Sequence, residues 1–177
     1  MKRIVGLVFI ISSLVGLAQD KAFVIYNAKG KKVPYKKMMK SLNESDVTLF
    51  GELHNNPISH WLQLEVTKSL GKKRKLILAA EMFERDNQKA LTDYLNGKID
   101  EKGLDSLARL WKNYETDYKP LVDYAKQNKL QFIAANVPRR YASMVYKGDF
   151  KALDSLPANE KEWIAKLPID YDKNLPG

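Results

Sequence analysis

The chain has 177 residues, of which 45% are hydrophobic, a formal net charge of +9 and no cysteine. This length is enough for one packed domain, and the absence of cysteine excludes disulfides and a thiol-linked lipid anchor. The basic charge favours anionic small ligands or phospholipid head groups as partners.

The N-terminus has the pattern of a secretory signal peptide. Two basic residues precede an apolar run that starts at Ile4, and Gly16 and Ala18 occupy the −3 and −1 positions of a cleavage site. The run is shorter than the roughly 20 residues that span a bilayer. We therefore predict a signal peptide over 1–18 and a single mature domain over 19–177, exported to the periplasm or the outer membrane. After cleavage we expect no transmembrane span and no nucleic-acid partner.

Four short apolar runs predict strands, at 22–27, 47–52, 75–81 and 130–136. The last three are nearly continuous in apolar residues, which is typical of strands covered on both faces. Helical patterns separate the runs. The alternation predicts an α/β fold with a largely parallel sheet.

The clearest helix follows Asn56, a candidate N-cap, with Pro57 at the first helical position and Gly71 as a stop signal. Four more helices are predicted: at about 86–96 before Gly97, around 104–111, around 121–125, and from Pro138 onwards. The stretch 83–128 holds more helix than one crossover needs, so we expect a helical subdomain there. The final Pro-Gly is a turn signal, and we expect the C-terminal part of the fold to be missing.

Polar side chains stand at the carboxyl ends of the three buried strands. Glu52 and His54 end the first of them, Glu81 the second and Asn136 the third. Ligands of open α/β sheets bind beyond the carboxyl ends of the strands, so we predict that these four residues line one cleft. Glutamate and histidine suit both a divalent metal and general acid–base chemistry. A helix-capping or core role for His54 stays open.

Three nearby residues have structural interpretations. Glu81 lies on an apolar strand, and a buried carboxylate there needs a partner such as Arg85 or a metal ion. Asp86 is a candidate cap of the following helix. His60 fits a surface or packing role, because its distance from His54 along the chain matches no two-histidine metal motif.

The segment 135–146, ANVPRRYASMVY, places Arg139 and Arg140 at a helix N-terminus beside a strand end. Helix N-termini and paired arginines both favour anions. Tyr141 follows directly. It is either a partly buried aromatic residue or a phenolate ligand for iron, whose ionisation the guanidinium groups would ease.

Four stretches together resemble the ChaN-like haem-binding proteins, within the wider erythromycin-esterase/ChaN-like group. They are GELHNNPISHWLQLEV, LAAEMFERDNQKALTDYLNG, LWKNYETDYKPLVDYAK and FIAANVPRRYASMV, and they cover most of residues 45–146. The match is specific because four separate stretches agree in order. The chain departs from the family pattern in having no lipoprotein cysteine and no second glycine-histidine segment.

The resemblance implies an exported protein linked to iron or haem uptake. It also implies a three-layer α/β fold and a homodimer that holds haems at its interface, with a tyrosine on each iron and His and Lys near the propionates. Tyr118 and Tyr141 are candidate ligands because both lie inside matching stretches. The residues expected to contact haem are Glu52, His54, Glu81, Tyr118, Asn136, Arg139 and Tyr141.

An alternative function is that of a metal-dependent hydrolase, of protease or esterase type. GELH has the G-x-x-H form of a related group of metal-dependent proteases, in which a second such motif completes the metal site. Glu52, His54 and Glu81 would then be the metal ligands. Because the second motif is absent, the sequence favours a binding protein over an enzyme, and an adhesive or structural domain is the third possibility.

Overall fold

The structure is a computed structural model that describes residues 22–169, 172, 174 and 175. The predicted signal peptide lies outside these residues. Seven α-helices and two strands are described, in the order α1 (Tyr35–Asn43), α2 (Pro57–Gly71), β1 (Ile77–Glu84), α3 (Gln88–Leu95), α4 (Glu101–Leu107), α5 (Lys119–Gln127), β2 (Gln131–Asn136), α6 (Arg139–Gly148) and α7 (Ala158–Lys161). Short 3₁₀ turns at Arg85–Asn87 and Phe150–Leu153, and a π-helical turn at Tyr114–Tyr118, lie between them. No helix in the described ranges is long and apolar enough to cross a membrane.

The strands β1 and β2 pair in parallel, as the sequence predicts, with α3, α4 and α5 in the connection between them. The register runs from Ile77 opposite Gln131 to Ala80 opposite Ala134, and then shifts before Glu84 meets Asn136. The shift is a bulge in β1, and a bulge bends a strand and turns its side chains. The structure is therefore a mixed α/β fold with a small parallel sheet.

The hydrophobic core lies between the sheet and the helices that follow β1. Phe83 packs edge-on against Phe132 at 5.8 Å and against Tyr114 at 6.2 Å, and Leu91 and Leu104 are completely buried around them. Leu78 and Ala80 point to this core, whereas Ile77, Ala79 and Glu81 are exposed. Within the described residues, β1 is thus covered on one face, and cover on its other face stays a prediction.

Helix α2 has the bounds that the sequence predicts. The side chain of Asn56 accepts hydrogen bonds from the backbone N–H groups of Ile58 (3.0 Å) and Ser59 (3.1 Å), which satisfies two free donors of the first turn. Gly71 is the last residue of α2, and a side chain there would meet the Tyr124 hydroxyl of α5 at 2.7 Å. This glycine therefore allows the two helices to approach closely.

Two of the four predicted strands are not strands in the structure. Residues 22–27 contribute only one antiparallel bridge, between Tyr26 and Lys32, around a turn at Gly30. Residues 47–52 pair with neither β1 nor β2, and Leu49 is 92% exposed. The apolar pattern shows which residues prefer an extended backbone, but it does not supply a pairing partner.

The remaining helices shift by a few residues from their predicted positions. The helix α3 begins at Gln88 after a 3₁₀ turn and stops before Gly97, whose φ of 73° is the left-handed conformation of a helix stop. The helix α4 ends at Leu107, so Trp111 lies beyond it in the segment that leads to the π-helical turn. That position brings Trp111 to the candidate site.

Candidate functional site

Glu52 is the centre of a polar network beneath the GELHNN loop. Its Oε1 accepts a hydrogen bond from the Tyr118 hydroxyl at 2.7 Å and lies 3.3 Å from Nδ1 of His54. Its Oε2 accepts from the side-chain amide of Gln63 and lies 3.2 Å from Nδ1 of His60. One carboxylate thus joins the loop to α2 and to the turn before α5.

The network keeps Glu52 ionised. The side chain is only 13% exposed. Burial by itself would raise the pKa of this carboxyl, but the hydrogen bonds from Tyr118, Gln63 and His54, together with the charge of His60, lower the pKa below its ordinary value. Conversely, burial and the bond to this carboxylate raise the pKa of the Tyr118 hydroxyl.

The Glu52 carboxylate orients the imidazole of His54. With Nδ1–H directed at Oε1, the ring presents Nε2 away from the carboxylate, and its side chain is 56% exposed. Carboxylate–histidine pairs of this kind fix the tautomer and the ring direction in metal and catalytic sites. The structure therefore shows His54 as an accessible side chain, not as a helix cap or a core residue.

Two further groups fix the backbone of the loop. The carbonyl oxygen of His54 accepts hydrogen bonds from Nδ2 of Asn113 at 2.7 Å and from Nε2 of His60 at 3.1 Å. Trp111 packs edge-on against the His54 ring at 4.8 Å and against Tyr118 at 5.6 Å. The hydrogen bonds thus fix the backbone of His54, and the Trp111 ring packs against its imidazole.

The sequence interpretation missed three members of this network: His60, Gln63 and Asn113. His60 is buried, as its packing role predicts, but it also contacts Glu52 and the loop backbone. A signal was present, because Asn56, His60 and Gln63 are spaced by four and then three residues and so share one face of α2. No local pattern points to Asn113, which is 59 residues from His54.

The predicted shared cleft is only partly present. A cavity of about 550 Å³ lies between residues 46–52, α2 and β1, and both Glu52 and Glu81 line it, whereas His54 and Asn136 do not. The cavity occupies the space where a paired strand at 47–52 would lie. Asn136 instead stands opposite Glu84 at the carboxyl end of β1, beyond the register shift.

Glu81 does not need the partner that the sequence suggests, because its side chain is exposed and not buried. In the described part of the chain, no group of three His, Asp or Glu side chains is arranged to hold a metal ion. The proposed metal ligands Glu52, His54 and Glu81 therefore remain a prediction, and the contact between Glu52 and His54 is the part of that set seen in the structure.

Both tyrosines suggested as iron ligands are buried. Tyr118 donates to Glu52, and Tyr141 donates to Glu160 while accepting from Arg140 at 2.8 Å. Arg140 eases the ionisation of Tyr141, as the sequence predicts, but this effect does not decide the net direction of the pKa shift. Burial and the Glu160 carboxylate raise the pKa of its hydroxyl, and the opposing effect of Arg140 is smaller.

A second ionic cluster lies at the carboxyl end of β1. Asp86 accepts from Arg109 at 2.5 Å and from Arg140 at 2.5 Å, and Arg109 also pairs with Glu84 at 2.6 Å. Asp86 is thus an ion-pair centre and not the predicted helix cap, since α3 has no side-chain cap. Arg140 forms an ion pair with Asp86 in this cluster. Arg139, the first residue of α6, is exposed.

Fold and site together define a small α/β protein that presents a carboxylate-oriented histidine beside an apolar surface. Residues 38–176 match the family model described as haem-binding uptake, Tiki superfamily, ChaN. The chain belongs to this ChaN-like haem-binding family.

Two known proteins are similar to the chain. A structure described as cofacial haem binding to ChaN of Campylobacter jejuni is similar with a TM-score of 0.58 and 22% identity, over 71% of this chain and 52% of that one. The Arabidopsis thaliana protein RETICULATA-RELATED 5, chloroplastic, is 27% identical over 126 residues, which are 67% of this chain and 17% of that protein. The chain thus spans about half of the bacterial relative and a sixth of the plant one.

Proposed function

We propose that this protein binds haem through the surface around the GELHNN loop and α6, as an exported protein of the cell envelope that serves iron or haem uptake. The observation that carries the proposal is the outward-facing imidazole of His54, held by Glu52, in a chain that belongs to a haem-binding family. Membership of the family supports haem as the ligand, and the geometry of His54 supports the GELHNN loop as the place where it binds.

The residues around His54 fit a flat apolar macrocycle with anionic substituents. Leu53 beside it is 71% exposed, and further apolar side chains lie open on the same loop and at the start of α2: Val47, Leu49, Phe50, Ile58 and Trp61. Large exposed apolar patches mark binding sites. A protonated His54 would donate Nδ1–H to Glu52 and Nε2–H to a haem propionate.

The iron ligand that we propose is Tyr146, in place of Tyr118 or Tyr141. Ferric iron favours a phenolate, and haem proteins with a tyrosine ligand are known. Tyr146 lies on α6 and is 92% exposed, so its hydroxyl can reach a ligand without breaking a protein hydrogen bond. Arg139 and Lys147 are exposed on the same helix and supply positive charge for the second propionate.

We propose a homodimer as the binding unit, because His54 and Tyr146 are both exposed and a second copy would cover the other face of the macrocycle. The proposal includes the three-layer architecture, with the mature domain at 19–177 and a helical subdomain at about 83–128. A metal-dependent hydrolase is the alternative function, with Glu52, His54 and Glu81 as its ligands.

Haemin titration of the untagged protein tests the proposal. We expect a ferric tyrosinate absorbance spectrum that Tyr146→Phe removes and that Tyr118→Phe and Tyr141→Phe retain, while His54→Ala weakens binding but leaves the spectrum unchanged. If Tyr146→Phe keeps the wild-type spectrum, the ligand assignment is wrong. If haemin produces no absorbance change with the wild-type protein, haem binding itself is wrong and the hydrolase becomes the leading hypothesis.

A further inference from the structure

His60 is almost completely buried, and it contacts both the Glu52 carboxylate and the backbone of the GELHNN loop. It lies in the first turns of α2 with 4% of its surface exposed, and its ring packs edge-on against Tyr118 at 4.7 Å. Its Nε2 donates to the His54 carbonyl at 3.1 Å, and its Nδ1 lies 3.2 Å from Oε2 of Glu52.

His60 lies close to Glu52 but does not form a hydrogen bond with it. Nδ1 makes no hydrogen bond of acceptable geometry, although it is within ion-pair distance, and Oε2 already accepts from Gln63. Asp117 faces the other ring nitrogen at 3.7 Å. In the described residues, the groups within ion-pair distance of Glu52 and Asp117 are the two histidines, so His60 is the buried group that joins both carboxylates.

We infer that His60 is a positioning residue for His54. Its bond to the carbonyl holds the backbone from which the His54 ring extends, and its own ring lies beside Glu52, the acceptor for Nδ1–H. The bond to the carbonyl is the contact that keeps Nδ1 of His54 on the carboxylate and Nε2 turned outward. Asn113 also bonds to the carbonyl, but it does not contact Glu52.

The tautomer of His54 is the direct readout, and the chain is well suited to it because it contains only two histidines. In untagged protein labelled with ¹⁵N in the imidazole ring, a variant without His60 shows imidazole signals from His54 only. The spectra are recorded at pH 8.5, where an ordinary imidazole is neutral. We expect the Nδ1–H form in the wild-type protein, whereas a solvated imidazole prefers the Nε2–H form.

Three substitutions of His60 separate its contacts. His60→Phe keeps the ring volume and removes both nitrogens. His60→Gln can place an amide N–H where Nε2 stands and keep the bond to the His54 carbonyl, whereas His60→Asn reaches only the Nδ1 position. We expect loss of the Nδ1–H signals of His54 in the Phe and Asn variants and their retention in the Gln variant.

Two controls bracket the result. Glu52→Leu removes the acceptor directly and should abolish the Nδ1–H form, whereas Lys68→Ala, on the same helix but outside the network, should leave it unchanged. If His60→Phe does not fold, by circular dichroism, the Gln and Asn variants decide. The inference is overturned if His54 keeps the Nδ1–H form without His60, or if His60→Gln loses it as completely as His60→Asn.

Haemin affinity is a second readout, and only this readout rests on the proposed function. We expect His60→Phe to weaken haemin binding in the same direction as His54→Ala, and His60→Gln to restore it. A wild-type protein that fails to bind haemin contradicts the proposed function and leaves the tautomer result intact. A tautomer unaffected by His60 contradicts the positioning role, even if haemin binds.

Discussion

The bond between Tyr118 and Glu52 predicts a measurable loss of stability in Tyr118→Phe. The substitution removes one hydroxyl and keeps the buried ring, so the change in apolar burial is small. The lost contact is a 2.7 Å hydrogen bond to an ionised and largely buried carboxylate. Hydrogen bonds to charged groups contribute roughly 1.5–3 kcal/mol, so we expect the free energy of unfolding to fall by about 2 kcal/mol.

Urea denaturation followed by circular dichroism measures this loss. With a slope of about 2 kcal/mol per molar urea, typical of a domain of this size, the midpoint should fall by about 1 M. Tyr146→Phe is the matched control, because it makes the same chemical change at an exposed side chain. We expect it to change the free energy of unfolding by less than about 0.5 kcal/mol.

The loss of stability in Tyr118→Phe should depend on pH, because the lost bond is made to the ionised form of Glu52. The pKa of Glu52 is lowered in the folded protein, so its bonds contribute fully above the ordinary value of 4.5, and the contribution is lost as pH falls through the lowered pKa. The penalty of Tyr118→Phe should therefore be larger at pH 7 than at pH 3. A penalty below about 0.5 kcal/mol at pH 7, or one that does not change with pH, would refute the reasoning.

Three further predictions concern other parts of the chain. Asp86→Asn weakens the pairs with two arginines and should cost about 1–2 kcal/mol, less at high salt, as measured by urea denaturation with the exposed Asp105→Asn as control. Leu104→Ala empties a completely buried site and should lower the free energy of unfolding by 2–5 kcal/mol, by the range known for such cavities, whereas Leu49→Ala at an exposed site should change it by about 0.5 kcal/mol or less. Expression of the whole chain in a bacterium should yield an envelope protein that begins at Gln19 by N-terminal sequencing; a product that retains the first eighteen residues would contradict the predicted signal peptide.

Local sequence patterns were sufficient for the elements whose signals lie within a few residues. The Asn56–Pro57 start of α2 depends on bonds to residues two and three positions away, and the stop at Gly97 depends on its own φ. The strands β1 and β2 were predictable because each is a short apolar run between helical patterns. Their parallel pairing followed from the helices between them.

The same patterns placed Glu52 and His54 at the site, because two polar residues at the end of an apolar run are unusual enough to be noticed. They did not show whether that run pairs with a neighbour. Residues 47–52 have the composition of a strand, yet they lie apart from β1 across a cavity. Pairing depends on what occupies the edge of the sheet, and composition carries no information about the edge.

Only the tertiary structure decided which side chains meet. Tyr118 reaches Glu52 across 66 residues of sequence, and Arg140 reaches Asp86 across 54. In the structure Tyr118, a candidate iron ligand, is a buried hydrogen-bond donor. Asp86, a candidate helix cap, is the centre of an ion-pair cluster. The physical reason is that hydrogen bonds and ion pairs act over a few ångströms in space, whereas helix and strand periodicities describe neighbours a few residues apart along the chain.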